Sequence, residues 1–151
     1  MSATRLRGDW QLSAEVIRRR KPHPGAENTV ILVDTSVWID HLRRPEVRLQ
    51  DLLQNDEVAT HPLVRLELAL GSIASRAKIL NDLSLLVQAP LVQTDELFAL
   101  VELRRLYRRG IGITDLHLLA SALVDKSISI WTRDRRLSKI AVELGIRAAI
   151  P

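Results

Sequence analysis

The sequence predicts an α/β fold, a sandwich of helices around a mostly parallel sheet, on three observations. Short aliphatic runs of strand length alternate with segments of helical period. Prolines and glycines punctuate the chain at the borders of these segments. The first aliphatic run ends abruptly on a carboxylate and two hydroxyls, in "ILVDTSVWIDHLR", as a strand does when it hands over to a helix at the edge of a parallel sheet.

In chain order, "KPHPGAENTV" breaks the pattern and places a boundary near residues 28–30. Val30 to Val33 reads as a strand, Ser36 to Leu42 as a helix and Pro45 to Leu53 as a second helix. Glu57 to Thr60 is a short strand, and Pro62 opens a helix that Gly71 stops. Helical period continues over Ser75 to Leu86 and over Thr94 to Arg109, the latter closed by Gly110. Thr114 to Lys126 is helical, Ser127 to Trp131 is a strand, and Asp134 to Gly145 is a helix ended by glycine. A last short strand is expected at Ile146 to Ala149. No internal repeat or low-complexity tract is present.

With 151 residues, 46% of them hydrophobic, the chain has material for one real core. That core must be aliphatic, since only five residues are aromatic. Trp38 and Trp131, each within or beside an aliphatic run, are expected inside it. The absence of cysteine removes disulfides and thiolate metal sites and fits a reducing cytoplasmic setting. The four histidines lack the spacing of a zinc helix, so any metal would rest on carboxylates. No apolar run approaches the roughly 20 residues that span a bilayer, and the first residues lack the apolar centre of a signal peptide, so no membrane role is expected. Charge is uneven: residues 1–29 carry six basic against three acidic residues, whereas the remainder carries sixteen against fifteen. Two domains of behaviour are expected: a basic, poorly ordered extension over 1–29, solvated or touching nucleic acid, and a folded unit over 30–151.

Four carboxylates stand out. Asp34 and Asp134 lie at strand-to-helix junctions, and Asp115 opens a helix after the turn "RGIGIT". Each has an ordinary alternative, since aspartate at a helix start satisfies orphan N–H groups and suits the helix dipole. Glu67 has no such role. It shares a helical face with Leu63, Leu66 and Leu70, a face expected to point inward, where a carboxylate needs a partner: a salt bridge, or a cation shared with the three aspartates. All-oxygen ligands select Mg²⁺ or Mn²⁺ over zinc. Arg43, Arg44, Arg133, Arg135 and Arg136 lie close in sequence to these acids and are candidates for phosphate contact, or simply a solvated face. "ELRRLYRRG" is also basic, and surface pairs explain it equally well.

The ordered set "VDTSVWIDHLR", "LVRLELALG", "GITDLHLLASAL" and "WTRDRRLSKIA" resembles the PIN-domain family, and within it the VapC-type toxins of bacterial toxin–antitoxin pairs. The resemblance runs from about Val30 to the C-terminus. It implies a three-layer α/β/α sandwich and an acidic quartet at Asp34, Glu67, Asp115 and Asp134, with Ser36 and Thr132 as supporting hydroxyls. It further implies a Mg²⁺- or Mn²⁺-dependent endoribonuclease acting on cellular RNA such as tRNA or rRNA, as a homodimer silenced by a cognate VapB-type antitoxin. Among the arginines, Arg43, Arg133 and Arg135 are the expected RNA contacts. One departure is Arg136, where some members carry a further acid. Because many such proteins begin on a strand like "ILVDTS", residues 1–29 are expected to be an upstream extension with Val30 as an alternative start. Two rivals remain at this point: a catalytically silent PIN scaffold that binds RNA or protein, and a phosphoryl-receiver module, which would use Asp34 but not Glu67.

Overall fold

A computed structural model describes residues 30–150. The expected basic extension over 1–29 lies outside the described residues. Four strands form one sheet in the order β3-β2-β1-β4: β1 (Val30–Val33), β2 (Val58–Thr60), β3 (Val87–Gln88) and β4 (Ile128–Trp131). Every pairing is parallel, with Ile31 opposite Val58, Ala59 opposite Val87, and Val33 opposite Trp131. Seven helices complete the described chain: α1 (Thr35–Arg43), α2 (Val47–Gln54), α3 (Pro62–Leu70), α4 (Arg76–Ser84), α5 (Thr94–Arg104), α6 (Ile113–Val124) and α7 (Arg135–Glu143).

All residues of β1 and β2 are buried, so successive side chains are covered on both faces and the sheet is the middle layer of an α/β/α sandwich. Leu32, Leu49, Leu68, Leu83, Leu118, Ile130 and Leu137 fill the aliphatic core, each worth about 1.5–3 kcal/mol on full burial. Trp38 is fully enclosed and Trp131 is 9% exposed, as an aliphatic-run position requires. Among the described residues no helix is long and apolar enough to cross a membrane.

The topology decides where a site can form. From β1 the chain moves first to β2 and β3 on one side, then crosses to β4 on the other. The neighbours β1 and β4 therefore bound the switch point, where helices leave in opposite directions and a crevice opens at the strand ends. Asp34 follows β1, and Thr132 to Asp134 follow β4.

Four elements differ from the sequence-based expectation. The helix expected to reach Arg109 stops at Arg104, because Arg105 turns left-handed (φ 53°, ψ 51°) and its N–H bonds to Glu102 while Leu106 N–H reaches Val101, the paired bonds of a Schellman stop. Glycine normally fills that position, as Gly145 does after α7 with the same bond pattern. Arginine there costs about 1–2 kcal/mol, and Arg108 (φ 59°) pays it again. The two-residue β3 is too short to carry a period of its own. The last expected strand shrinks to one parallel bridge, Arg147 with Ile130, held by Ile130 N–H to Ile146 and Ala148 N–H to Ile130, each 2.8 Å. Finally, α3 buries Val64 and Leu68, leaving Leu66 (56%) and Leu70 (88%) exposed. The expected inward face is thus rotated away. Because apolar residues surround this helix on nearly all sides, its period does not reveal which side is covered.

Two histidines are locked inside as neutral acceptors. His61 caps α3, its Nδ1 accepting the Leu63 N–H at 3.0 Å, and His41 Nδ1 accepts the Glu46 N–H at 3.0 Å, so the proton of each neutral ring sits on Nε2. Burial lowers both pKa values; His61, also facing His117 and Arg65, falls from 6.5 to about 4. The unfolded chain then takes up protons that the fold refuses, so stability present above pH 6.5 declines as pH falls through about 4, by at most about 3 kcal/mol from His61. His61→Asn keeps a capping oxygen and removes the titration. Its melting temperature should vary less with pH between 6.5 and 4 than the parent's, and an equal slope in both proteins would contradict this origin.

Candidate metal centre

Asp34 occupies the N-cap position of α1, with extended backbone, yet its side chain makes no capping bond. Its Oδ2 instead accepts two hydroxyls, Ser36 Oγ–H at 2.7 Å and Thr132 Oγ1–H at 2.7 Å. Each hydroxyl in turn accepts a backbone N–H from the β4–α7 junction, Ser36 from Arg133 and Thr132 from Asp134, both at 3.0 Å. Because each hydroxyl has one proton and both protons point at Asp34, the direction of the whole network is fixed. The 3.4 Å approach of Ser36 Oγ to Thr132 Oγ1 is then a contact and not a third bond. Asp34 is 6% exposed and ionisable, a combination that is costly without compensation.

Asp134 behaves differently. Its Oδ1 accepts the N–H groups of Arg136 and Leu137 at 2.9 and 3.0 Å, so it does cap α7. Both caps fall on one oxygen, which leaves Oδ2 directed elsewhere by the same geometry. Asp115, in the first turn of α6, accepts the Gly112 N–H at 3.0 Å. Glu67 is exposed, contrary to the expectation that it is buried, because the covered stripe of α3 runs through Val64 and Leu68. The four carboxylates nonetheless line one open cavity of about 440 Å³, together with Ser36, Ile39 and Ile113. Among the described residues, none of the four makes an ion pair, so the salt-bridge alternative for Glu67 finds no partner.

Their charges are felt at Asp115. Burial, first, lifts its carboxyl above the usual carboxylate range; the Gly112 N–H opposes that, and Asp34, Asp134 and Glu67 add to the rise. Among the described residues no three carboxylates or histidines stand close enough to form a ready-made coordination sphere. Four like charges facing one cavity repel, and side chains on separate elements relieve this by standing apart. The donor set is all oxygen, one member is held rigidly by two hydroxyls, and among the described residues no arginine or lysine pairs with it. That set suits a hard cation such as Mg²⁺, which keeps several of its own waters and needs only one or two protein carboxylates directly.

The arginines divide. Arg133 is engaged: it bonds Asp40 at 2.6 Å and Glu46 at 2.5 Å and lies 5.8 Å above the Trp131 ring. A phosphate would have to displace two carboxylates to reach it, so it ties the β4–α7 junction to α1 and its following loop. Arg43 and Arg135 are exposed, and Arg43 lines a second groove of about 430 Å³ that shares Ile39 and Glu67 with the acidic cavity. Arg136 folds over Gly110, where a Cβ would come within 2.8 Å of its Cδ. No period or spacing in the sequence pointed to the Arg133 pairing, because its partners lie 93 and 87 residues away.

Comparisons with known proteins bear on the family and the fold. A family model described as "PIN domain" matches residues 31–143. Ribonuclease VapC32 of Mycobacterium tuberculosis, in two strains, is 49% identical over 120 residues, covering 80% of this chain and 97% of that protein. The crystal structure of PAE2754 from Pyrobaculum aerophilum superposes with a TM-score of 0.52 at 18% identity, covering 80% of this chain and 98% of that one, a likeness of fold.

The raised pKa of Asp115 carries a stability consequence. A carboxyl harder to ionise in the fold than in the unfolded chain contributes stability below its ordinary value of 3.8 and loses it as pH rises through the raised value. Asp115→Asn keeps an acceptor for Gly112 and removes the charge. In EDTA at pH 7 the variant should melt at the same temperature as the parent or higher, with the difference closing toward pH 4. A lower melting temperature at pH 7 would mean that ionised Asp115 is held by something attractive.

Proposed function

This chain belongs to the PIN-domain family, in its VapC branch, and from that premise we propose that it is a divalent-metal-dependent endoribonuclease, the toxin of a toxin–antitoxin pair. The observation that carries the reading is the convergence of Asp34, Glu67, Asp115 and Asp134, from four separate elements, on one cavity that no cationic side chain lines among the described residues. The family removes the phosphoryl-receiver alternative, and the intact quartet argues against a silent scaffold.

A divalent cation bound there supplies a water of lowered pKa and offsets negative charge on the phosphate. The chain's own groups do the rest. Ser36 and Thr132 hold the Asp34 carboxylate in one orientation, so that it presents its remaining lone pairs to the cavity without rearranging. Asp115 and Asp134 each commit one oxygen to backbone N–H groups, which fixes the carboxylate plane and leaves the other oxygen for the ligand. Glu67, exposed on α3 and free of such anchors, is the member able to swing. Its proposed role is to orient the attacking water and take up its proton. The empty quartet repels a polyanion, so RNA entry depends on the cation and on rim arginines, among which Arg43 and Arg135 remain the candidates.

The finer terms of the proposal are Mg²⁺ or Mn²⁺ as the ion, structured cellular RNA such as tRNA or rRNA as substrate, and a cytoplasmic homodimer as the acting species. Leu66, Leu70, Phe98 and Leu103, all more than half exposed, are surface that a second copy or an antitoxin would cover. A VapB-type antitoxin is the proposed restraint. The groove lined by Ile39, Leu42, Leu68 and Ile73, which shares Glu67 with the acidic cavity, offers such a segment an apolar path toward the acids.

Purified protein should cleave RNA with Mg²⁺ or Mn²⁺ and lose that activity in EDTA. Asp34→Asn and Asp115→Asn should each lower the rate by at least about a hundredfold while remaining folded. Undiminished cleavage in EDTA would exclude the mechanism.

A further inference from the structure

The segment between α5 and α6, residues 105–112, carries the basic run "RLYRRGIG" and sits beside the acidic cavity. A separate cavity of about 260 Å³ opens there, walled by Tyr107, Arg108, Gly110, Ile113 and Leu116. Gly112 and Ile113 line both this cavity and the acidic one, so the two are immediate neighbours across the wall that these two residues form. Tyr107 is 51% exposed and Ile113 is 67% exposed, which places an aromatic ring and an aliphatic branch on open walls. Arg109 is occupied, bonding Glu143 through Nη2 at 2.9 and 3.1 Å, and so pins the loop to α7. The Arg136 guanidinium covers Gly110, which needs its missing Cβ and its φ of 76° for that approach.

The backbone adds an independent observation. Arg108 holds a left-handed φ of 59°, as Arg105 does at the Schellman stop, and glycine would occupy both positions with less strain. The chain uses glycine at the matching stop after α7. Strain of this kind gathers at functional segments, where the side chain is needed despite its conformation.

We propose that this second cavity is a nucleotide subsite: it takes the base of the nucleotide adjoining the cleaved phosphate in a single-stranded stretch of RNA, packed between Tyr107 and Ile113, with Arg108 on the flanking phosphate. The volume lies below the about 300 Å³ at which pockets for larger ligands begin, which suits one planar base. An aromatic face and an arginine are the pair that sequence-tolerant single-strand binding uses. The inference rests on the nuclease reading, and adds to it where the substrate strand lies.

The test measures binding of a fluorescein-labelled single-stranded RNA decamer of mixed sequence to the full chain, with Mg²⁺ present and Asp115→Asn as a background that does not cut. Arg108→Gly should leave the melting temperature unchanged or raise it, weaken RNA binding about fivefold, and lower the slope of log affinity against log salt by about 0.7, the value for one lost single-strand phosphate contact. Tyr107→Ala should weaken binding about tenfold with the salt slope unchanged, and Tyr107→Phe should restore it. Parental affinity in both Arg108→Gly and Tyr107→Ala would overturn the proposal, as would weakened binding that merely follows a fall in melting temperature. Unchanged RNA affinity with weakened antitoxin binding or self-association would overturn it too, and would assign the cavity to a protein. Failure of the nuclease reading is seen separately, as absence of RNA cleavage by the unaltered chain.

Discussion

The Asp34 carboxylate, buried at the end of β1 and held through one oxygen by the hydroxyls of Ser36 and Thr132, is the interaction on which the rest of the site depends. Hydrogen bonds to a charged acceptor are worth about 1.5–3 kcal/mol each, which offsets part of the cost of burying a carboxylate. Those two hydroxyls come from opposite sides of the topological switch, one from α1 and one from the strand end of β4. The same network takes in the N–H groups of Arg133 and Asp134, so placing Asp34 also places the start of α7 and with it the Asp134 cap. Arg133 reinforces this from outside by bonding Asp40 on α1 and Glu46 beyond it. A parallel sheet with β1 beside β4 is what makes so short a connection between residues 96 and 98 positions apart possible.

Against that fixed point, the other three acids show a graded commitment. Asp134 and Asp115 divide their oxygens between the backbone and the cavity, and Glu67 is anchored to nothing charged among the described residues. The arrangement places acids together in one cavity, and the Asp115 pKa is raised by burial first, with the neighbouring acids Asp34, Asp134 and Glu67 adding to the rise against the Gly112 N–H. Rigid acids would repel more strongly, whereas wholly mobile ones would lose their orientation. A rigid first acid with progressively looser companions lies between these extremes.

Much of this was legible in the sequence because local rules coincide with the topology. Asp34, Asp115 and Asp134 stand at strand or helix starts, and such positions gather at one edge of any parallel sheet. Glu67 stands out in the sequence for an inward face that the structure does not give it: its helix is apolar nearly all round, so periodicity indicates the wrong side, and Glu67 lines the cavity from an exposed position. The end of α5 was misplaced because Arg105 adopts a conformation usually signalled by glycine, and a chain that accepts that strain gives no compositional warning. Arg133 neighbours Asp134 in sequence, which suggests a phosphate contact, while its partners in the fold are set by long-range packing. Its pairing with Asp40 and Glu46 is tertiary information that no local pattern carries.

The most direct measurement of the central claim is diffraction from crystals of the full chain equilibrated with Mn²⁺, recorded at the manganese absorption edge. An anomalous peak is expected in the cavity between Asp34 and Asp115, within coordination distance of at least two of the four carboxylates, with Ser36 and Thr132 still bonded to Asp34. At saturating Mn²⁺, a cavity with no peak, or a peak bound only at other residues, would contradict it.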